Sequence, residues 1–317
     1  MRPLPYALSF AAFAALVTPS LADTNYPLTI ENCGFSVTFP AAPQRAVTLK
    51  STATEMLLAL GLADKIVGVG FQDGPVPAQW AEKAAALPVL AEKLPSQEVV
   101  LEANPDFVYA GWESNFAADG AGERATLGDL GVATYVSPAA CRTEPYKPAK
   151  LSFDDLFAQI EEMGTIFNVE PAATAFVAEQ KTELAAIPAD TRGLTALWYS
   201  SGTKTPYVGA GSGAPEMMLE KLGLTNIMAS VDDGWVSASW EAIVDANPDV
   251  IVLVDAAWNS ADQKKKLLAE NPITSKLDAV INGRYLVLPF PASEAGVRNV
   301  GATADMANQL KALNLAP

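Results

Sequence analysis

Apolar and polar positions along the chain change rhythm many times, and the changes predict short strands alternating with short helices. Leu28-Thr-Ile30 and Phe35-Ser-Val-Thr-Phe39 alternate with a period of two and are closed by Pro40 and Pro43, which predicts two strands. Arg45-Ala-Val-Thr-Leu49 and Ile66-Val-Gly-Val69 are apolar runs of the buried-strand type. Between them, Glu55–Leu60 reads as a helix stopped by Gly61. Helices over 98–103 and 123–130 precede strands Phe107–Ala110 and Ala133–Val136, and 138–150 is irregular. From Phe153 to Ile187 the pattern is helical, broken near Asn168–Pro171, with Leu156, Ile160 and Met163 opposite Asp154, Asp155, Glu161 and Glu162. The alternation resumes at Leu194 with strands over 196–199, 207–208, 250–254 and 285–288 and helices over 215–222, 261–270 and 302–313. The order β-α-β-α-β in each half predicts an α/β fold with mostly parallel sheets.

The pattern also repeats. Glu98-Val-Val-Leu-Glu-Ala-Asn-Pro-Asp106 returns as Glu241-Ala-Ile-Val-Asp-Ala-Asn-Pro-Asp249, ungapped and offset by 143 residues (98 to 241). Each copy has a Ser two residues before its Glu (Ser96, Ser239) and runs into an apolar strand. Ala53-Thr-Glu-Met-Leu-Leu-Ala-Leu-Gly-Leu62 is matched by Ala214-Pro-Glu-Met-Met-Leu-Glu-Lys-Leu-Gly-Leu224, in the same order within its half. The offset is far longer than a solenoid period, so two similar lobes are expected. The N-terminal lobe is placed at 23–152, a helical linker at 153–192 and the C-terminal lobe at 193–317.

Residues 1–22 read as a signal peptide: Arg2, an apolar run from Leu8 to Val17 too short to span a bilayer, and a small-x-small site at Ser20-Leu21-Ala22. No Cys follows the run where a lipid anchor needs one, so an exported, soluble, non-lipidated periplasmic protein is expected. The net charge of −15 argues against nucleic acid and anionic membranes as partners. The chain has no histidine, which removes a His general base, a Ser-His-Asp triad and a His-ligated zinc site. The two cysteines, Cys33 and Cys141, are more often a disulfide than two free thiols in an oxidising compartment.

Open α/β sheets bind ligands beyond the carboxyl ends of their strands. There the sequence places Trp112, Glu113, Tyr199, Trp235, Trp258 and Arg298. A tryptophan face suits a large planar or chelate ligand, and three of the six tryptophans fall in these loops; the plainer alternative is that they cap sheet edges. Arg298 suits a ligand carboxylate or phosphate, or a salt bridge to Glu294. Gly209-Ala-Gly-Ser-Gly213 before a helix is a weak anion-site signal, and a plain strand-turn-helix connection explains it as well. Glu98 and Glu241 suit the positive ends of their helices, and as a matched pair they also suit a two-fold symmetric partner.

Arg45-Ala-Val-Thr-Leu49, Thr54-Glu-Met-Leu-Leu-Ala-Leu-Gly61, Ile66-Val-Gly-Val69, both Ala-Asn-Pro-Asp stretches and the helical linker resemble the substrate-binding proteins of ATP-binding-cassette (ABC) importers for ferric siderophores, haem and cobalamin. The resemblance covers nearly all of the mature chain. It implies two α/β lobes joined by one long α-helix, a metal chelate carried in the inter-lobe cleft, no catalysis, no cofactor and no protein-bound metal, and a monomer delivering to a permease dimer with its ATPase subunits. In that family one Glu per lobe, seven residues before the Pro, docks on the permease; Glu98 and Glu241 match residue for residue. Gly111-Trp-Glu-Ser-Asn115, Asp119–Arg124, Leu197–Gly202, Thr205–Gly211 and Phe290–Asn299 resemble a narrower subgroup labelled as binding a phospholactyl-deazaflavin precursor of the F-420 coenzyme. The resemblance implies that Trp faces and Arg298 would serve that ligand as well as a siderophore. Chelatase-like enzymes share the architecture, and a catalytic constellation around Glu55 and Asp255 would point to them.

Overall fold

The computed structural model describes residues 24–313 and 315; the expected signal peptide lies outside them. Strands β1 (Leu28–Asn32) and β2 (Phe35–Phe39) form an antiparallel hairpin. The N-terminal lobe then runs β3 (Ala46–Leu49), α1 (Ser51–Ala59), β4 (Ile66–Gly70), α2 (Ala81–Ala85), β5 (Val89–Ala91), α3 (Gln97–Glu102), β6 (Phe107–Ala110), α4 (Arg124–Asp129) and β7 (Ala133–Val136). Its sheet is parallel throughout, in the order β5-β4-β3-β6-β7.

The helical connector is two helices rather than one: α5 (Phe153–Phe167) and α6 (Glu170–Ala186). Asn168, in the left-handed region at φ 55°, turns the chain between them. Ser152 starts α5 with a reciprocal cap, accepting from Asp155 N–H while its own N–H donates to the Asp155 carboxylate.

The C-terminal lobe comprises β8 (Thr195–Ser201), β9 (Tyr207–Gly209), α7 (Ala214–Leu222), β10 (Thr225–Asn226), β11 (Trp235–Ser237), α8 (Trp240–Ala246), β12 (Val250–Asp255), α9 (Ala261–Glu270), α10 (Asp278–Ile281), β13 (Tyr285–Pro289), α11 (Phe290–Ser293) and α12 (Asn299–Ala312). Its sheet has the order β11-β9-β8-β12-β13, with β10 also on β8; β9 pairs antiparallel with both β8 and β11, and the other pairings are parallel. The fold is therefore α/β, with two lobes built on parallel-dominated sheets.

The repeated sequences do the same work in each lobe. Asn104 and Asn247 both adopt positive φ, 48° and 41°, where Asn ends a helix at little steric cost. The Pro that follows stops the helix. Asp106 and Asp249 then accept backbone N–H groups at the first strand of their lobes, from Arg45 at 2.9 Å and from Thr195 at 2.8 Å. Gly61 and Gly223 end the matched helices at φ 78° and 74°. One apolar core runs from Phe107 and Tyr109 through Ile160 and Met163 of the connector to Trp198 and Met218. The lobes therefore share packed apolar surface as well as a covalent link.

Candidate ligand-binding site

In each lobe the strand order reverses at the first strand of the sheet, where β3 lies between β4 and β6 and β8 between β9 and β12. The carboxyl ends of such strands leave a crevice. The two crevices face one another and enclose a cleft of about 720 Å³, within the range of small-molecule sites. Trp112, Trp235 and Trp258 all line it. Trp235 stacks on Tyr207 with ring centroids 5.8 Å apart and planes 14° from parallel, making a flat wall. Trp258 is 60% exposed and meets the Phe290 ring edge-on at 5.0 Å.

The third tryptophan is engaged differently. The Lys50 ammonium sits 3.4 Å from the centre of a Trp112 ring, within reach of Phe71 and Phe290 at 4.7 and 5.1 Å, and ion-pairs with Asp73. The Trp112 indole N–H donates to the Glu294 carboxylate. Burial pushes the Glu294 carboxyl up to about 7, against the opposing pull of Lys50 and Trp112. Lys50 itself takes φ 79° and ψ 152°, a conformation that costs about 1–3 kcal/mol for a residue with a side chain. The fully buried ion pair and the surrounding rings hold it there. Gly111, behind it, has no room for a Cβ, which would lie 2.6 Å from Thr52 Oγ1.

Three of the expected site residues lie off the cleft wall. Tyr199 is fully buried on the opposite face of β8; its hydroxyl donates to the Gly202 carbonyl at 2.7 Å and its ring packs edge-on against Trp240. Alternation along the strand turns Ser200 to the cleft instead. Arg298 reaches across to the other lobe, where its guanidinium clamps both oxygens of buried Glu55 and donates to the Pro75 carbonyl at 2.8 Å. Its partner is Glu55 and not Glu294. Glu113 accepts the Arg142 backbone N–H at 2.6 Å and so positions the chain beside the cleft. The structure adds Tyr207, Phe290, Glu294, Arg142, Lys147 and Asp233 to the wall. Sequence alone placed none of these six in the cleft; the aromatic rings of Tyr207 and Phe290 are a signal that could have found them, and the other four carry no local signal.

The glycine loop is a plain connection. A Cβ at Gly211 would lie 2.1 Å from the Ala229 carbonyl, and the Gly211 and Ser212 N–H groups donate to Val231 and Asp233 carbonyls. Glu55 is committed to Arg298, and Asp255 accepts the Ala261 N–H at 2.7 Å at the start of α9, so neither belongs to a catalytic constellation. Cys33 and Cys141 form a disulfide with Cα atoms 5.2 Å apart, and Cys141 borders the cleft.

Glu98 and Glu241 are exposed in the first turns of α3 and α8. Ser239 caps its helix through Ala242 N–H; Ser96 does not, and donates to the Glu98 carboxylate at 2.8 Å instead. The loop after β6 packs on Gln97, and Trp240 donates to Thr203 in the loop after β8. Both carboxylates therefore lie on the cleft-bearing edge of their lobes.

The sequence matches the family described as Periplasmic binding protein over residues 47–292. The chain belongs to the periplasmic binding protein family. It is 27% identical over 297 residues to the uncharacterised ABC transporter substrate-binding lipoprotein YvrC of Bacillus subtilis strain 168, covering 90% of this chain and 86% of that protein. A periplasmic binding protein from Veillonella parvula superposes with a TM-score of 0.80 at 26% identity, covering 91% of this chain and 98% of that one. A protein of the ABC-type ferric-hydroxamate transport system from Saccharomonospora viridis superposes with a TM-score of 0.78 at 27% identity, covering 90% and 99%. This periplasmic binding protein is thus an extracytoplasmic substrate-binding protein of the ABC-importer type and not an enzyme.

Proposed function

We propose that this protein captures a ferric chelate of the siderophore type in the inter-lobe cleft and presents it to its permease through Glu98 and Glu241. The observation that carries this reading is the convergence of three tryptophans from both lobes on one 720 Å³ cleft. Broad aromatic faces set among hydroxyls and a few charges suit a bulky chelate whose metal is already wrapped by its own oxygens. The similarity to the Saccharomonospora viridis protein favours the ferric end of the range over cobalamin. Both cysteines of the sequence are joined to each other, which supports an oxidising compartment outside the cytoplasm and leaves neither of them to carry a lipid.

A second reading, the phospholactyl-deazaflavin, is favoured by the flat Tyr207–Trp235 wall. Arg298 is held by Glu55 and so does not serve the acidic group of that ligand. Titration of tryptophan fluorescence separates the two. Saturable quenching by an uncharged or anionic ferric chelate, after inner-filter correction, is expected. Saturation by flat flavin-type ligands alone would transfer the assignment to the second reading.

A further inference from the structure

We infer that the cleft selects a ligand bearing an anionic group, which Arg142 and Lys147 hold once it has displaced the Asp233 carboxylate from Lys147. The inference deepens the reading of the cleft as a chelate site and rests on it.

Arg142 and Lys147 are the cations among the described residues lining the cleft, in a chain of net charge −15. Arg45, Arg124, Arg192 and Arg298 donate from their guanidinium groups to protein oxygens, and Arg284, whose Nε is buried without a partner, lies outside the cleft lining. The Arg142 guanidinium has no such partner among the described residues, although its backbone is fixed. Glu113 holds its N–H at 2.6 Å, and the preceding residue is tied by the Cys33–Cys141 disulfide. A rooted side chain with a free planar head is suited to two parallel hydrogen bonds to a carboxylate or phosphate.

Lys147 belongs to the N-terminal lobe, and its ammonium lies 4.0 Å from the Asp233 carboxylate of the other lobe. Both side chains are partly exposed, at 33% and 57%, so the pair is weak and easily exchanged. The Asp233 carboxylate keeps its own bond to Gly234 N–H at 2.7 Å and can remain there when Lys147 leaves. The charges also act across the cleft. Burial and Asp233 raise the Tyr207 hydroxyl, and Arg142 opposes them from the facing wall. The other lining carboxylate, Glu294, is turned to the Trp112 indole.

Three probes test this: ferric citrate as an anionic chelate, ferrioxamine E as an uncharged trihydroxamate, and flavin mononucleotide as a flat phosphate. Each is titrated into wild-type protein and into Arg142→Gln, Lys147→Gln and Asp233→Asn, with the melting temperature as the folding control. For the anionic probe that binds, losing either cation is expected to weaken binding about tenfold, the scale of one charge-assisted hydrogen bond. Asp233→Asn is expected to tighten it by about threefold, the scale of one exposed ion pair. Ferrioxamine E, if it binds, should respond to none of the three. Equal affinities across the variants, or preference for the uncharged chelate in the wild type, would overturn the inference while leaving the chelate reading intact. If flavin mononucleotide binds with the charge dependence and neither ferric probe binds, the chelate reading fails and the anion selectivity stands.

Discussion

Glu55 and Glu216 occupy the same position in the two repeated helices, yet their surroundings differ. Glu55 is clamped by Arg298 from the opposite lobe, whereas one oxygen of buried Glu216 has no hydrogen-bond partner among the described residues. Burial raises both carboxyls, and for Glu55 the Arg298 guanidinium opposes it. Removing one member of a buried ion pair leaves its partner uncompensated, so Glu55→Gln is expected to destabilise the protein by about 3–5 kcal/mol. Glu216→Gln removes a buried carboxyl that is only half satisfied and should change stability by less than about 1 kcal/mol in either direction. Urea unfolding of both variants checks the contrast; equal losses would contradict it. The duplicated Glu was legible in the sequence, but the partner was not, because Arg298 lies 243 residues from Glu55 and only the folded lobes bring them together. Tyr199 shows the same limit at one-residue scale. Its strand was legible, but a period-two pattern in a strand buried on both faces does not say which face meets the cleft.

At the scale of elements, the strongly periodic pieces were legible and the short ones were not. The strand ends and helices around the Asn-Pro-Asp repeats follow from local chemistry: a left-handed Asn, a helix-stopping Pro and an Asp that pins a neighbouring strand. Strands β5, β10 and β11, of two or three residues, and the four-residue α11 are too short to establish any period. The segment 138–150 carries Arg142 and Lys147 along the cleft, and the disulfide 108 residues back along the chain secures its start. A loop of that length implies a stabilisation of about 4–5 kcal/mol from restricting the unfolded chain. Cys33→Ser should therefore lower the melting temperature strongly and speed amide exchange in 138–150; an unchanged melting temperature would sink that role. For α3 and α8, reversing Glu98 and Glu241 to Lys should abolish uptake in cells while leaving ligand affinity unchanged. Lost affinity would show that the two carboxylates serve the cleft and not the permease.

For the whole molecule, duplication explains the two lobes, and departures from symmetry explain the site. Both lobes present strand ends to the cleft, but the N-terminal wall carries Trp112, backed by buried Lys50, and the free Arg142, while the C-terminal wall carries the flat Tyr207–Trp235 pair and Trp258. Buried Glu55–Arg298 and exposed Lys147–Asp233 both bridge the lobes. The shared apolar core passes through two connector helices rather than a flexible strand hinge, which favours small adjustments around the ligand over a wide swing. The central claim is that a ferric chelate sits between these walls. Diffraction from crystals grown with a ferric chelate, measured at the iron absorption edge, tests it most directly. One iron peak is expected inside the cleft, between Trp235 and Trp258 on one side and Arg142 on the other. Iron bound only outside the cleft, or a saturated crystal with an empty cleft, would contradict it.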